Sequence, residues 1–140
     1  MVSILIVAHT PVADAMLGFA EHTYGLLPEG VAAIDIPPHE DLKISFERVL
    51  QAAQKIISDD GILVLTDVMG ATPANVASRL TAPDVLTCNV AVLAGLNLPM
   101  LMRAISYRQE GLETVVQKTI QGGQNGILRL GTQAVSMSSN

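Results

Sequence analysis

The sequence predicts an α/β fold, a doubly wound, mainly parallel sheet with helices on both faces. Short β-branched runs alternate with amphipathic segments along the chain, which is the pattern of strand–helix–strand units. The strands read as nearly continuous apolar stretches, as strands covered on both faces do. The composition is 49% apolar but only 3% aromatic, so the core is expected to be built from Val, Ile, Leu, Ala and Met. A length of 140 residues suits one domain with one core.

Val2 to Ala8 (VSILIVA) reads as a first strand, interrupted by His9-Thr10-Pro11. Pro11 suits the first turn of a helix, where its missing N–H costs nothing. That helix is expected to run to about Tyr24, to bury Ala15, Met16, Phe19 and Ala20, and to stop at Gly25. Val31 to Ile36 is a second strand, ended by Pro37-Pro38. Asp41 opens a helix to about Ser58, whose core face is Ile44, Val49, Ala52, Ala53, Ile56 and Ile57. Ile62 to Thr66 is the clearest strand, with Asp67 at its carboxyl end. Thr72 as N-cap and Pro73 as first helical residue open a third helix. Leu86 to Ala94 reads as a fourth strand, with Gly95 to Pro99 as its exit loop. Helices are expected over Met100 to Tyr107 and from Gly111 to about Ile120, the latter ended by Gly122, Gly123 and Gly126. Ile127 to Leu130 is a candidate short C-terminal edge strand, so the domain spans residues 1–130. Gly131 to Asn140 reads as a polar tail.

Charge and cysteine usage exclude several functions. The chain carries 8 basic and 13 acidic residues, a formal charge of −5, with no basic cluster for a nucleic acid to bind. An acidic domain favours a basic protein partner, although charge bears more on encounter rate than on identity. The single cysteine, Cys88, precludes a disulfide framework and reads as a small buried hydrophobe. The apolar start is too short for a signal peptide and has no positive residue before it. No apolar run is long enough to span a bilayer. A cytoplasmic protein without membrane insertion is expected. The three histidines lie far apart without ligand spacing, so no metal is expected. No Walker or GxGxxG pattern asks for a nucleotide, and no cofactor is expected.

Parallel sheets place their sites outside the carboxyl ends of strands, where strand order reverses. That rule directs attention to the loops holding His9, Asp67 and Asn97. An imidazole with an ordinary pKa of about 6.5 is mostly neutral near pH 7 and can attack phosphorus. A following helix offers free N–H groups to phosphoryl oxygens. The same position equally suits a loop histidine without chemistry. Asp67 stands where a carboxylate would fix the imidazole tautomer, and equally where an aspartate caps a turn. Gly70 to Asn75 reads either as an anion nest or as an ordinary β–α connection. Met69 suits an adaptable protein contact, or folds into the core. His22, near a helix end, and His39, in a charged loop beside Glu40 and Asp41, carry less promise.

Three segments together resemble the mannose-type EIIA domains of the bacterial sugar phosphotransferase system. They are Ile6-Val7-Ala8-His9, Asp67 to Asn75 (DVMGATPAN) and Ala94 to Leu101 (AGLNLPML), each at a strand exit and in the family's order. The resemblance covers roughly Val2 to Leu130. It implies a phosphotransferase component with His9 as the phosphorylated residue and Asp67 as its hydrogen-bonding partner. It further implies phosphoryl contacts from Thr10, Gly70, Ala71 and Thr72, and a neighbouring loop shaped by Gly95, Asn97 and Pro99. The implied donor is the phosphocarrier HPr, the acceptor an EIIB component, and the state a homodimer, in which Ile127 to Leu130 is a strand available for exchange.

Thr10 and Ala71 stand where family members often carry glycine, which reduces backbone freedom beside the phosphoryl group. Many relatives continue through a linker into an EIIB domain, whereas this chain is expected to act as a separate protein. A regulatory module, phosphorylated on His9 but without a dedicated sugar permease, is the first alternative. An enzyme or ligand-binding domain of flavodoxin-like architecture is the second. Against it, the first loop lacks the clustered acids of a receiver and the Ser/Thr-rich loop of a flavin binder, and no Ser or Cys nucleophile with a base is evident.

Overall fold

Strands β1 (Ser3–His9), β2 (Val31–Ile36), β3 (Ile62–Thr66) and β4 (Val90–Ala94) form one parallel sheet in the order β2-β1-β3-β4. This computed structural model describes residues 1–131, so the expected polar tail lies outside the described residues beyond its first position. The chain crosses from β1 to β2 on one side and then returns to place β3 on the other. The order therefore reverses between β1 and β3, as a doubly wound sheet requires.

The central strands are buried on both faces, and their side chains divide by simple alternation. Ile4, Ile6, Leu63 and Leu65 join one core layer, while Leu5, Val7, Ile62 and Val64 join the other. Helices α1 (Val12–Tyr24), α4 (Leu98–Tyr107) and α5 (Leu112–Asn125) cover the first layer. Helices α2 (Leu42–Lys55) and α3 (Thr72–Ser78), followed by a short 3-10 turn at Arg79–Thr81, cover the second. Gly25 ends α1 in the left-handed conformation (φ 82°), where glycine carries no Cβ penalty. Asp41 caps α2 by accepting the Lys43 amide at 2.8 Å.

Several expectations need correction. In α1, Ala13 and Ala20 are buried and Ala15 is exposed. In α2, Val49, Ala53 and Ser45 face the core while Ile44 stands exposed, and the helix ends at Lys55, short of Ser58, so that Ile57 lies beyond it and is exposed as well. The sheet covers only a narrow arc of α2, and it selects the Ser45–Val49–Ala53 stripe over the larger Ile44 beside it. The fourth strand starts at Val90, because Leu86 to Asn89 form a loop before they reach the β3 edge. Ile127 to Leu130 form no strand: they leave α5 unpaired, with Ile127 and Leu130 about 80% exposed. Three apolar residues around Arg129 give some strand propensity, but a strand needs a neighbouring backbone to bond.

The largest departure concerns the glycines expected to end α5. The helix runs through Gly122 and Gly123 to Asn125. A Cβ on Gly122 would lie 2.3 Å from Arg103 Cγ, one on Gly123 2.6 Å from Met100 Cγ, and one on Gly126 2.5 Å from Pro99 Cγ. These glycines let α5 lie against α4, and that close packing outweighs their poor helix propensity.

A contrast between two helical glycines tests this. Gly122→Ala should destabilise the fold by about 1–3 kcal/mol, because overpacking exceeds the propensity gain. Gly18→Ala in α1, where a Cβ would meet nothing within 4 Å, should stabilise it by about 0.5–1 kcal/mol. Urea denaturation of both variants reads the two signs.

Candidate functional site

The reversal in strand order brings His9 and Asp67 together. Val7 pairs with Thr66, the last residue of β3, while β1 runs on beside β2 to His9, so Asp67 leaves β3 alongside the end of β1. Asp67 Oδ2 lies 2.8 Å from His9 Nδ1 and accepts the His9 backbone N–H at 3.0 Å. Its other oxygen, Oδ1, accepts the Val68 N–H at 3.0 Å. The carboxylate is only 13% exposed, whereas the imidazole is 49% exposed. One ring edge is thus fastened to the protein and the other faces solvent.

Burial by itself would raise the Asp67 carboxyl. The bonds from the His9 ring and amide, the attraction of the imidazole when charged, and the Val68 amide outweigh it and hold the pKa below the ordinary carboxylate value. Asp67 is therefore an ionised acceptor at neutral pH, and an acceptor-only partner requires the proton to sit on Nδ1.

The helix after His9 behaves differently from expectation. Its first amides are already engaged: Asp35 Oδ1, at the end of β2, accepts Ala13 N–H at 2.9 Å and Asp14 N–H at 3.4 Å. A carboxylate on these donors neutralises the positive end of α1. Asp35 was not singled out from the sequence, since an aspartate inside VAAIDI gives no sign that α1 begins beside it. Thr10 follows His9, and its amide bonds Ile36 O at 3.2 Å.

The loop after β3 is the next element at this end of the sheet. Gly70 holds φ 83°, a left-handed conformation. The N-cap of α3 falls on Ala71, which makes no side-chain bond, so Thr72 is the first helical residue and not the cap. Glycine's reversal at position 70 moved the helix start one residue earlier than the Thr-Pro pair indicated. Val68 and Met69 stand exposed, Met69 at 84%.

The loop after β4 is tied to the same corner. Gly95 N–H donates to Asp67 O and Leu96 N–H to Thr66 O, both at 3.1 Å. Gly95 adopts φ 89°. Asn97 caps α4 through the Met100 amide at 3.0 Å and donates from Nδ2 to Gly123 O at 3.2 Å. Pro99, in the first turn of α4, packs against Gly126 at the end of α5.

A cavity of about 620 Å3 opens beside His9, lined by Thr10, Pro38, His39, Glu40 and Thr72 among others. His39 therefore shares the site, although its position in the sequence gave no such sign. His22 lies in the last turn of α1, away from the strand exits. Among the described residues, no group of three or more His, Cys, Asp or Glu could hold a metal ion, and no helix is long and apolar enough to cross a membrane.

Comparison with known proteins gives a consistent result. The family described as PTS system fructose IIA component (EIIA-man) matches residues 3–120. The mannose-specific EIIAB component of Escherichia coli K12 is 28% identical over 140 residues, covering 99% of this chain and 42% of that protein. The chain thus spans less than half the length of that curated relative. A phosphotransferase system component EIIA from Streptococcus agalactiae superposes with a TM-score of 0.79 at 34% identity, covering 92% of this chain and 97% of that one. A mannose/sorbose specific IIA subunit from Enterococcus faecalis gives 0.77 at 26% identity, covering 93% and 95%.

Two acidic side chains at the site make separable predictions. The Asp67 pKa is lower folded than unfolded, so its contribution to stability is present above about pH 3.9 and is lost as pH falls through the folded value. Wild-type and Asp67→Ala denaturation midpoints should differ at pH 7 and converge as pH is lowered to 3. Asp35→Ala, which leaves the Ala13 and Asp14 amides uncapped, should cost about 1 kcal/mol at pH 7 in urea denaturation.

Proposed function

Because the chain belongs to the family of PTS fructose IIA components, we propose that it is a phosphocarrier that takes a phosphoryl group onto Nε2 of His9 and hands it on. One observation carries this reading: the 2.8 Å contact between His9 Nδ1 and an ionised Asp67. With the proton held on Nδ1, the lone pair sits on Nε2, at the solvent-facing edge of the ring.

Phosphoryl transfer has a loose transition state and asks mainly for alignment and charge stabilisation. His9 Nε2 attacks in line, the Nε2–P bond forms, and the N–P bond on the donor's histidine breaks. The bonding pair returns to the donor ring. The ring of His9 becomes cationic, and Asp67 stabilises that charge across the Nδ1 hydrogen bond. Thr10, the Thr72 hydroxyl and the backbone amides from Gly70 to Thr72 receive the phosphoryl oxygens. Gly95, Asn97 and Pro99 hold the adjoining loop in place. The donor is HPr and the acceptor an EIIB component, and the EIIAB name of the E. coli relative supports the acceptor. The exchange takes place in the cytoplasm and serves sugar uptake, with the domain paired as a homodimer.

The test is intact-protein mass after incubation with phosphoenolpyruvate, Enzyme I and HPr. Wild type should gain one acid-labile phosphoryl group, and folded His9→Ala none. Asp67→Ala should still accept it, roughly 10- to 100-fold more slowly, as loss of one charge-assisted hydrogen bond implies. Absence of an adduct on wild type with competent HPr overturns the carrier reading.

A further inference from the structure

We infer that His39 is a second phosphoryl-contact residue, which binds an oxygen of the group in transit from the wall of the cavity beside His9. The inference rests on the carrier reading of His9 and adds a residue to it. His9, His39, Thr10 and Thr72 line one cavity of about 620 Å3. That space exceeds what a phosphoryl group alone needs, and it admits the donor's phosphorylated side chain. An imidazole on its wall is placed to donate an N–H to a phosphoryl oxygen that neither Asp67 nor the α1 amides can serve. Asp67 is an acceptor, and Asp35 occupies the Ala13 and Asp14 amides.

The loop that carries His39 is built to hold it there. His39 has φ 67°, the one non-glycine residue with positive φ among the described residues. Histidine is among the residues that tolerate this region, but it persists only where the surroundings impose it. Pro37 and Pro38 precede it. Glu40, next in the chain, accepts Ser45 Oγ at 2.6 Å and Arg48 Nη1 at 2.9 Å. Asp41 follows and is committed to the Lys43 amide. Arg48 also reaches Asp35 O at 3.0 Å, which ties the loop to the end of β2.

The charged and titratable groups around His39 are therefore these. Glu40 and Asp41 flank it in the loop, each engaged by α2. Arg48 approaches from α2 and is paired with Glu40. His9 faces the same cavity from β1, with Asp67 behind it on the β3 side. The acids that could otherwise pair with a His39 cation already have partners, so a dianionic phosphoryl group is the anion left to it. The contact strengthens when His39 is protonated.

The test compares rates of phosphoryl acceptance from phosphorylated HPr between pH 6 and pH 8 in wild type, His39→Gly and His39→Asn. Glycine and asparagine both accept positive φ, so neither variant adds backbone strain. The wild-type to His39→Gly rate ratio should be roughly 3 to 10 at pH 6 and fall towards 1 at pH 8, as expected for an exposed charge-assisted contact. His39→Asn, which keeps an uncharged donor, should give a smaller ratio at pH 6 that likewise falls towards 1 at pH 8. The 31P resonance of phosphorylated His9 should move in His39→Gly and stay in place in His22→Ala. A ratio of 1 at every pH, or a His39→Gly ratio independent of pH, overturns the inference while leaving the carrier reading intact. No adduct on wild type overturns the carrier reading itself.

Discussion

The site depends on one carboxylate. Asp67 receives three hydrogen bonds, two of them from His9, and it does so from a position almost out of solvent. The backbone bond from His9 and the ring bond from the same residue fix both where the histidine sits and how its ring is turned. This geometry exists only because β1 and β3 are adjacent and parallel, and because β3 ends opposite Val7, two residues short of His9. Any change that shifted their register by one residue would send Asp67 to the opposite face of the sheet. The buried pairs Leu5–Val64 and Ile6–Leu65 beneath the site resist such a shift, since each layer of the core depends on the same alternation.

Two helices begin near His9, and the structure assigns them different electrostatic tasks. The N-terminus of α1 is neutralised by Asp35, so it steadies the residues that follow His9 instead of presenting donors to an anion. The turn into α3 has a left-handed Gly70 and no side-chain cap, and within it the Ala71 amide donates to Val68 O at 3.4 Å. Its residues are the ones proposed to meet the phosphoryl oxygens. The loop after β2 forms the opposite wall, and its conformation is dictated by Glu40, which is bonded by Ser45 and Arg48 of α2. Hydrogen bonds from Ser45 first, with Arg48 adding another bond and its charge, hold the Glu40 carboxyl below the ordinary range against the opposing effect of burial.

Support reaches the site from farther away as well. Asn97 caps α4 and also donates to Gly123 of α5, so one amide side chain links the loop after β4 to two helices. That loop in turn donates two backbone bonds to Thr66 and Asp67. The small residues of α5 allow this approach, because side chains at Gly122, Gly123 and Gly126 would separate the helices. The family match covers residues 3–120, and these fastening contacts lie within it or just beyond it.

By itself the sequence determined the strands and the helices between them, because periodicity and β-branched runs are local properties. Ile62–Thr66 and Val31–Ile36 begin and end where their residues indicate. It also pointed to His9, Asp67 and the loop from Gly70, since strand exits can be located without knowing what lies beside them. Only the tertiary structure decided the rest. Asp35 and His39 come to the site from strand β2 and the loop after it, and no spacing along the chain reveals that they face α1 or His9. The glycines of α5 looked like a helix end, because propensity is read residue by residue, whereas close packing against α4 is a property of two helices at once. Ile44 looked like core for the same reason: helical spacing marks several stripes as apolar, and the sheet selects which one it covers, whereas Ile57 falls outside because the helix stops at Lys55.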